Sequence, residues 1–211
     1  MIVWQRFQKF FFYFILVGVT ITVTYICIHS QQISRILAAP VFDSIEFNRY
    51  ILYTHIFTAL PPLVIGLVEF YKTIRQKYPK LHRNLGKVYC ICIWISSVLG
   101  ILLASANTRG PVAQIGFSTL GVLWFTTTTI AYIHARKFDF FIHRRWMIRS
   151  YALTLAVVSV RPMFWFPPSF IDFELWYLII TWICWVPNLI IAEIYLRLTD
   201  VNGRLIKNLS H

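Results

Sequence analysis

Apolar residues run along this chain in blocks of about 17 to 25, the length a helix needs to cross the hydrocarbon core of a bilayer. Six such blocks predict helices at about 10–28, 50–70, 88–106, 112–135, 146–162 and 175–196, with charged and turn-forming residues between them. The first block follows Arg6 and Lys9, as the apolar stretch of a secretory leader would. It is longer than such a stretch, and the small pair Ala38-Ala39 lies beyond a polar segment, so it reads as a retained helix. The fifth block spans only if Arg149 is accommodated. The expected fold is therefore all-α: one domain over 1–211, a polytopic bundle of six transmembrane helices.

Composition agrees. Apolar side chains make up 58% of the 211 residues and charged ones only 13%, far from the balance of soluble domains. A net charge of +12 would suggest nucleic acid in a soluble protein, but here Lys and Arg gather at the ends of apolar blocks. Topology explains them, and no nucleic-acid partner is expected. The N-terminus, the 2–3 connection, the 4–5 connection and the tail together hold 16 Lys and Arg; the opposite connections hold 4, namely Arg35, Arg49, Arg109 and Arg161. Cytoplasmic loops carry the basic excess, so both termini are expected inside, in a bacterial cytoplasmic (inner) membrane. The aromatic stretch from Arg161 to Phe170 suits the lipid interface on the other side.

Polar residues at membrane depth need partners or a function. Glu69, Arg149 and Glu193 end or enter the second, fifth and sixth spans at matching depths. They predict either an ion-pair cluster pinning those spans, or an anion or headgroup site with Arg145 and Arg149 as donors. His55 lies one turn into the second span from the outer side, ahead of Pro61-Pro62, with His29 at similar depth as a partner. His82, His134 and His143 fall at the cytoplasmic ends of the third, fourth and fifth spans, and neutral imidazoles at one level can ligate haem b or a transition metal. Arg83, Arg144, Arg145 and Arg161 are candidates for an anion or for haem propionates. Asn188, next to Pro187, is placed to hydrogen-bond across to another helix, and Thr126 to Thr129 to bond back to their own. Cys27, Cys90, Cys92 and Cys184 read as small buried hydrophobes, Cys90 and Cys92 pointing apart on a helix.

The stretches HRRWMIRSYAL (His143 to Leu153), LHRNLGKVY (Leu81 to Tyr89), GFSTLGVLW (Gly116 to Trp124) and PNLIIAE (Pro187 to Glu193), with His55, resemble an uncharacterised bacterial membrane family, number 2306 among the domains of unknown function. The resemblance covers about 50–197 and implies a polytopic membrane protein without an established activity. It emphasises His55, His82, His143, Arg149, Arg161, Asn188 and Glu193.

Three functions follow as expectations: a redox or cofactor protein using the histidines, a transporter or small-ligand- or lipid-binding protein using the intramembrane polar groups, and an accessory subunit bound to other membrane subunits. No nucleophile with a placed base, phosphate-binding glycine loop or HExxH helix is present in the sequence.

Overall fold

A computed structural model describes residues 17, 18, 21, 45–70 and 72–209. Among these the secondary structure is helical: α1 (Ile45–Glu69), α2 (Lys72–Lys77), α3 (Pro79–Ser105), α4 (Pro111–Arg136), α5 (Phe140–Thr154), α6 (Ala156–Trp165), α7 (Phe173–Ile183) and α8 (Val186–Leu209). The first expected helix and its His29 and Cys27 lie outside the described residues, apart from three positions. One of those, Gly18, approaches so closely that a Cβ there would stand 2.9 Å from Val158 Cγ1 on α6.

Local chemistry sets the ends. Pro79 and Pro111 open α3 and α4, where a missing amide proton has no intrahelical acceptor to lose. Gly110 precedes Pro111 with φ 96°, a value that a side chain disfavours. Between α4 and α5, Phe138 takes φ 59° and Asp139 caps α5 by accepting from Ile142 N at 3.2 Å. That three-residue turn sends α5 back antiparallel along α4.

Two expected spans are broken. The fifth divides at Leu155, whose carbonyl accepts both Val158 N (3.0 Å) and Ser159 N (3.1 Å), a tightened turn between α5 and α6. The sixth divides at Cys184-Trp185, because Pro187 has no amide proton for the carbonyl of Ile183. Asn188 then serves two neighbours: Nδ2 donates to Cys184 O at 3.2 Å beside the break and to Ser159 Oγ on α6 at 3.0 Å.

Three stretches are long and apolar enough to cross a membrane by length and composition: Tyr50–Glu69, Pro79–Ser105 and Phe173–Thr199. Helix α4 has the length, 26 residues, but is diluted by threonines. Those hydroxyls turn back on their own helix: Thr126, Thr127, Thr128 and Thr129 donate to the carbonyls four residues earlier at 2.7 to 2.8 Å.

The burial pattern is inverted relative to a water-soluble bundle. Val88, Ile91, Ile95, Val98 and Leu102 form an exposed aliphatic stripe on α3, and Ile190, Ile191, Ile194 and Leu198 do so on α8. Ser96, Ser97, Thr128, Ser150 and Thr181 are instead fully buried. Water would penalise that arrangement; lipid favours it. This is an integral membrane protein.

Helix α5 is the hub, packing on α1, α4 and α8. Small residues permit the approach. A Cβ on Gly66 would stand 2.1 Å from Tyr151 Cε2, and one on Gly116 2.7 Å from Thr181 Oγ1. Cys90 and Cys184 are buried in the core and Cys92 is half-buried, all as free thiols.

Candidate functional site at the basic end

The ends of α1 and α4 meet the beginnings of α3 and α5, with α2 across them. Glu69, the last residue of α1, is buried, and its Oε2 pairs with His82 Nδ1 in the first turn of α3. Its other oxygen, Oε1, is enclosed and accepts no hydrogen bond among the described residues. One turn past His82, Gly86 leaves room: even a Cβ there would stand 3.9 Å from Glu69 Oε2.

His143, in the first turn of α5, donates from Nδ1 to the carbonyl of Ala131 on α4 at 2.8 Å. That bond settles the tautomer and leaves Nε2 as a lone pair. Burial pushes the His143 imidazole below its ordinary pKa; the Ala131 bond opposes this, the charge of His82 adds to it, Glu69 opposes it and Arg75 adds again. His82, Glu69 and Arg75 are thus close enough to act on His143 electrostatically. Arg75 of α2 is held below the usual arginine range by burial first and by the charge of Arg144 second, with Glu69 opposing. Two guanidinium groups, two imidazoles and one carboxylate from α1, α2, α3 and α5 therefore gather at one end of the bundle.

A pH dependence follows. A native-state pKa lowered by burial means that the unfolded chain binds a proton more readily than the folded one. Stability is then unaffected above about pH 6.5 and falls as the pH drops through that value toward the folded-state pKa. Melting curves of the solubilised protein between pH 8 and pH 5 are expected to decline on the acid side, and His143→Gln to flatten that decline. An unchanged slope in the variant would assign the proton uptake elsewhere.

The remaining expected site residues are distributed differently. His134 pairs with Asp139 in the following turn (Nδ1 to Oδ2 3.2 Å), while His82 meets Glu69 and His143 meets Ala131 O. His55 is remote from all three and pairs with Ser96 on α3: its Nδ1 lies 2.9 Å from Ser96 O and 3.0 Å from Ser96 Oγ. Gly100 accommodates that ring, a Cβ there falling 3.1 Å from His55 Cε1. Arg83 Nε donates to Pro79 O in its own helix at 3.3 Å, and the Arg145 guanidinium lies over the Phe141 ring at 5.7 Å. Arg161 stands on α6, beyond the break at Leu155.

The expected cluster of Glu69, Arg149 and Glu193 separates into two. Arg149 binds Glu193 of α8 in bidentate fashion, Nε to Oε1 at 2.5 Å and Nη2 to Oε2 at 3.0 Å, and its guanidinium lies 4.7 Å from the Trp146 ring centroid. Glu69 belongs to His82 instead. Among the described residues no group of three or more His, Cys, Asp or Glu is arranged to hold a metal ion.

One buried constellation was not singled out by sequence reasoning. Tyr89 Oη lies 3.0 Å from Ser150 Oγ and 3.3 Å from Thr154 Oγ1, Thr128 Oγ1 lies 2.7 Å from Ser150 Oγ, and Trp124 Nε1 donates to Thr154 Oγ1 at 2.9 Å. It joins α3, α4 and α5 through neutral hydroxyls. The available signal was spacing: Ser150 and Thr154 are four apart on one helical face.

Residues 52–196 match the family described as "Predicted membrane protein (DUF2306)", well over half of the chain. The chain belongs to that family. No curated protein and no solved structure matches it. The DUF2306 match spans both sides of the basic end, from Glu69 and Arg75 through His82 to His143 and Arg149, and includes the Tyr89 constellation.

Proposed function

We propose that this member of the DUF2306 family is a six-span protein of the bacterial inner membrane, with both termini cytoplasmic, that binds a small anion at its basic end, as a ligand-binding protein or transporter. The basic excess on alternate connections supports the orientation, and the contact of Gly18 with α6 supports a first helix that joins the bundle. The observation that carries the binding reading is the gathering of Arg75, His82, His143 and Arg144 at one end of the bundle, on α2 and in the first turns of α3 and α5. Like charges repel, and an anion bound among them offsets that repulsion.

Melting of the purified protein in chloride, acetate, sulfate, phosphate and citrate tests this reading. At least one anion is expected to raise the melting temperature of the wild type, with the gain lost in Arg75→Gln and Arg144→Gln. A panel in which no anion distinguishes the wild type from either variant would sink it.

A second reading, ligation of haem b or a transition metal, is supported by the second partners of His82 and His143. Ligating histidines usually donate their other ring nitrogen to a carboxylate or a backbone carbonyl, as these can to Glu69 and Ala131. The guanidinium groups nearby disfavour a bare cation, which places this reading behind the first. A Soret band, or stoichiometric metal in the purified protein, would reverse that order. An accessory role beside other membrane subunits rests on the exposed aromatic connection around Phe166 and Phe170, and co-purification of a stoichiometric partner would support it.

A further inference from the structure

We infer that the turn between α4 and α5 is a binding surface for anionic phospholipid. The rings of Phe138, Phe140 and Phe141 meet the acyl chains, and the cations around them, Arg136 and Lys137 foremost, meet the phosphate. The inference goes beyond the small-anion reading above and does not rest on it.

The first observation is strain without an internal reward. Phe138 N donates to Ala135 O at 3.2 Å and Asp139 N to His134 O at 2.9 Å, so α4 ends in a capping turn with Phe138 at its left-handed position, φ 59°. Glycine usually stands there, because a side chain crowds the neighbouring backbone. Among the described residues Phe138 is the one non-glycine residue with positive φ. Packing within the protein does not compensate. Phe138 is 79% exposed, and its ring meets edge-on, at 6.2 Å, that of Phe140, which is 64% exposed. Phe141 beside them is 69% exposed. A strained backbone that presents an apolar ring outward points to a cover supplied from outside the chain.

Depth and charge identify that cover. Trp94 of α3 donates to Thr129 of the antiparallel α4 at 2.9 Å, so the two helices are level there. Counting on from Thr129 to Phe138, and back by the same number from Trp94, brings the turn level with Leu85. That is just outside the uncharged run of α3 that opens at Val88, within a helix apolar enough to cross a membrane. A residue at that level sits among headgroups, where aromatic rings reach the acyl boundary and cations reach phosphate. Arg136, Lys137 and Arg144 are exposed around the rings, and the Arg145 guanidinium lies over Phe141 at 5.7 Å. The one carboxylate in the turn, Asp139, is engaged by Ile142 N and His134. Guanidinium and ammonium groups set beside exposed rings match a ligand that joins an anionic head to apolar chains.

The test uses the full-length protein in maltoside detergent, with native mass spectrometry giving the affinities of phosphatidylglycerol and phosphatidylcholine. The wild type is expected to hold phosphatidylglycerol at least about fivefold more tightly, the factor for one cation near a headgroup surface. Lys137→Gln should weaken phosphatidylglycerol by about fivefold and leave phosphatidylcholine unchanged. Phe138→Gly should weaken both lipids alike, by about fivefold, because the acyl contact does not depend on the head. The same variant should melt about 2 to 4 °C above the wild type in lipid-free detergent, since the strain is relieved. Phe140→Ala probes the surface without touching the strained backbone and should also weaken both lipids.

Equal affinity of the wild type for the two lipids, or affinities unmoved by both phenylalanine variants, would overturn the inference. So would a lower melting temperature in Phe138→Gly, which would mean that the ring serves the fold. A wild-type dimer that Phe138→Gly dissociates would assign the rings to a second copy of the chain and overturn it as well. None of these variants alters Arg75, His82, His143 or Arg144, so failure here leaves the small-anion reading standing, and failure of that reading leaves this one.

Discussion

Replacing Gly66 with alanine is expected to lower the melting temperature of the solubilised protein by about 5 to 10 °C, although it adds a single methyl group. The added Cβ would fall 2.1 Å from Cε2 and 2.3 Å from Cδ2 of Tyr151, inside the volume of the ring. That ring has little freedom to withdraw. Its hydroxyl donates to Leu63 O at 3.1 Å, and its face is tilted against Phe70 at 5.3 Å between centroids. Overpacking of this kind costs about 1 to 3 kcal/mol, and each kcal/mol moves the midpoint of a chain this size by about 2 to 4 °C. Tyr151→Leu in the Gly66→Ala background should then cost less than in the wild type, because the clash and the ring disappear together. A Gly66→Ala protein that melts within about a degree of the wild type would mean that α1 and α5 do not approach as closely as the ring requires.

Arg149→Met is expected to cost about 2 kcal/mol, below the range for a fully buried pair because Glu193 is 36% exposed and can recover hydration. The variant removes both N–H donors from the Glu193 carboxylate and the cation above Trp146, loosening α8 from α5. Combining it with Glu193→Leu should restore most of the loss, since neither charge is then left without its partner and apolar groups suit lipid depth. Chemical denaturation of the two single variants and the double variant measures this. If the double variant were as unstable as the sum of the singles, the contact would not be a coupled ion pair.

Much of this was legible in the chain because lipid imposes simple rules. A helix must satisfy its own backbone hydrogen bonds in hydrocarbon, so apolar blocks of the right length announced α1, α3, α4 and the α7–α8 pair directly. The basic end was legible for a similar reason, since Lys and Arg collect where a span leaves the membrane. Asn188, set beside Pro187, announced a contact across helices and makes one with Ser159. The helix breaks were harder to read. Pro187 marks the one at Cys184, but no residue at Leu155 forbids a helix, and packing alone decides that α5 ends there.

The identity of side-chain partners lay beyond the sequence. Glu69 and Glu193 lie at equivalent depths at the ends of their spans, and either was an acceptable partner for Arg149. What chose Glu193 was the side of α5 that faces α8; Glu69 was left to His82 because α1 and α3 pack side by side along their length. Three histidines at one level likewise suggested a shared site. His134 nevertheless turns to Asp139, because the tight turn after α4 places that carboxylate beside it. Arg75, in a short amphipathic stretch with many basic neighbours, had nothing to distinguish it until α2 folded across the end of the bundle.

The sequence by itself determined the class of this protein: helical, membrane-embedded, basic at alternate connections and a member of the DUF2306 family. Those properties follow from transfer of each segment between water and lipid, an energy that depends on composition and length and hardly on neighbours. The tertiary structure alone decided which polar groups meet: Glu69 with His82, Arg149 with Glu193, His55 with Ser96, and Tyr89 with Ser150 and Thr154. The physical reason is that hydrogen bonds and ion pairs act over a few ångströms and require direction. They are set by rotation of each helix about its axis and by the glycines that let helices approach, neither of which a hydropathy pattern encodes.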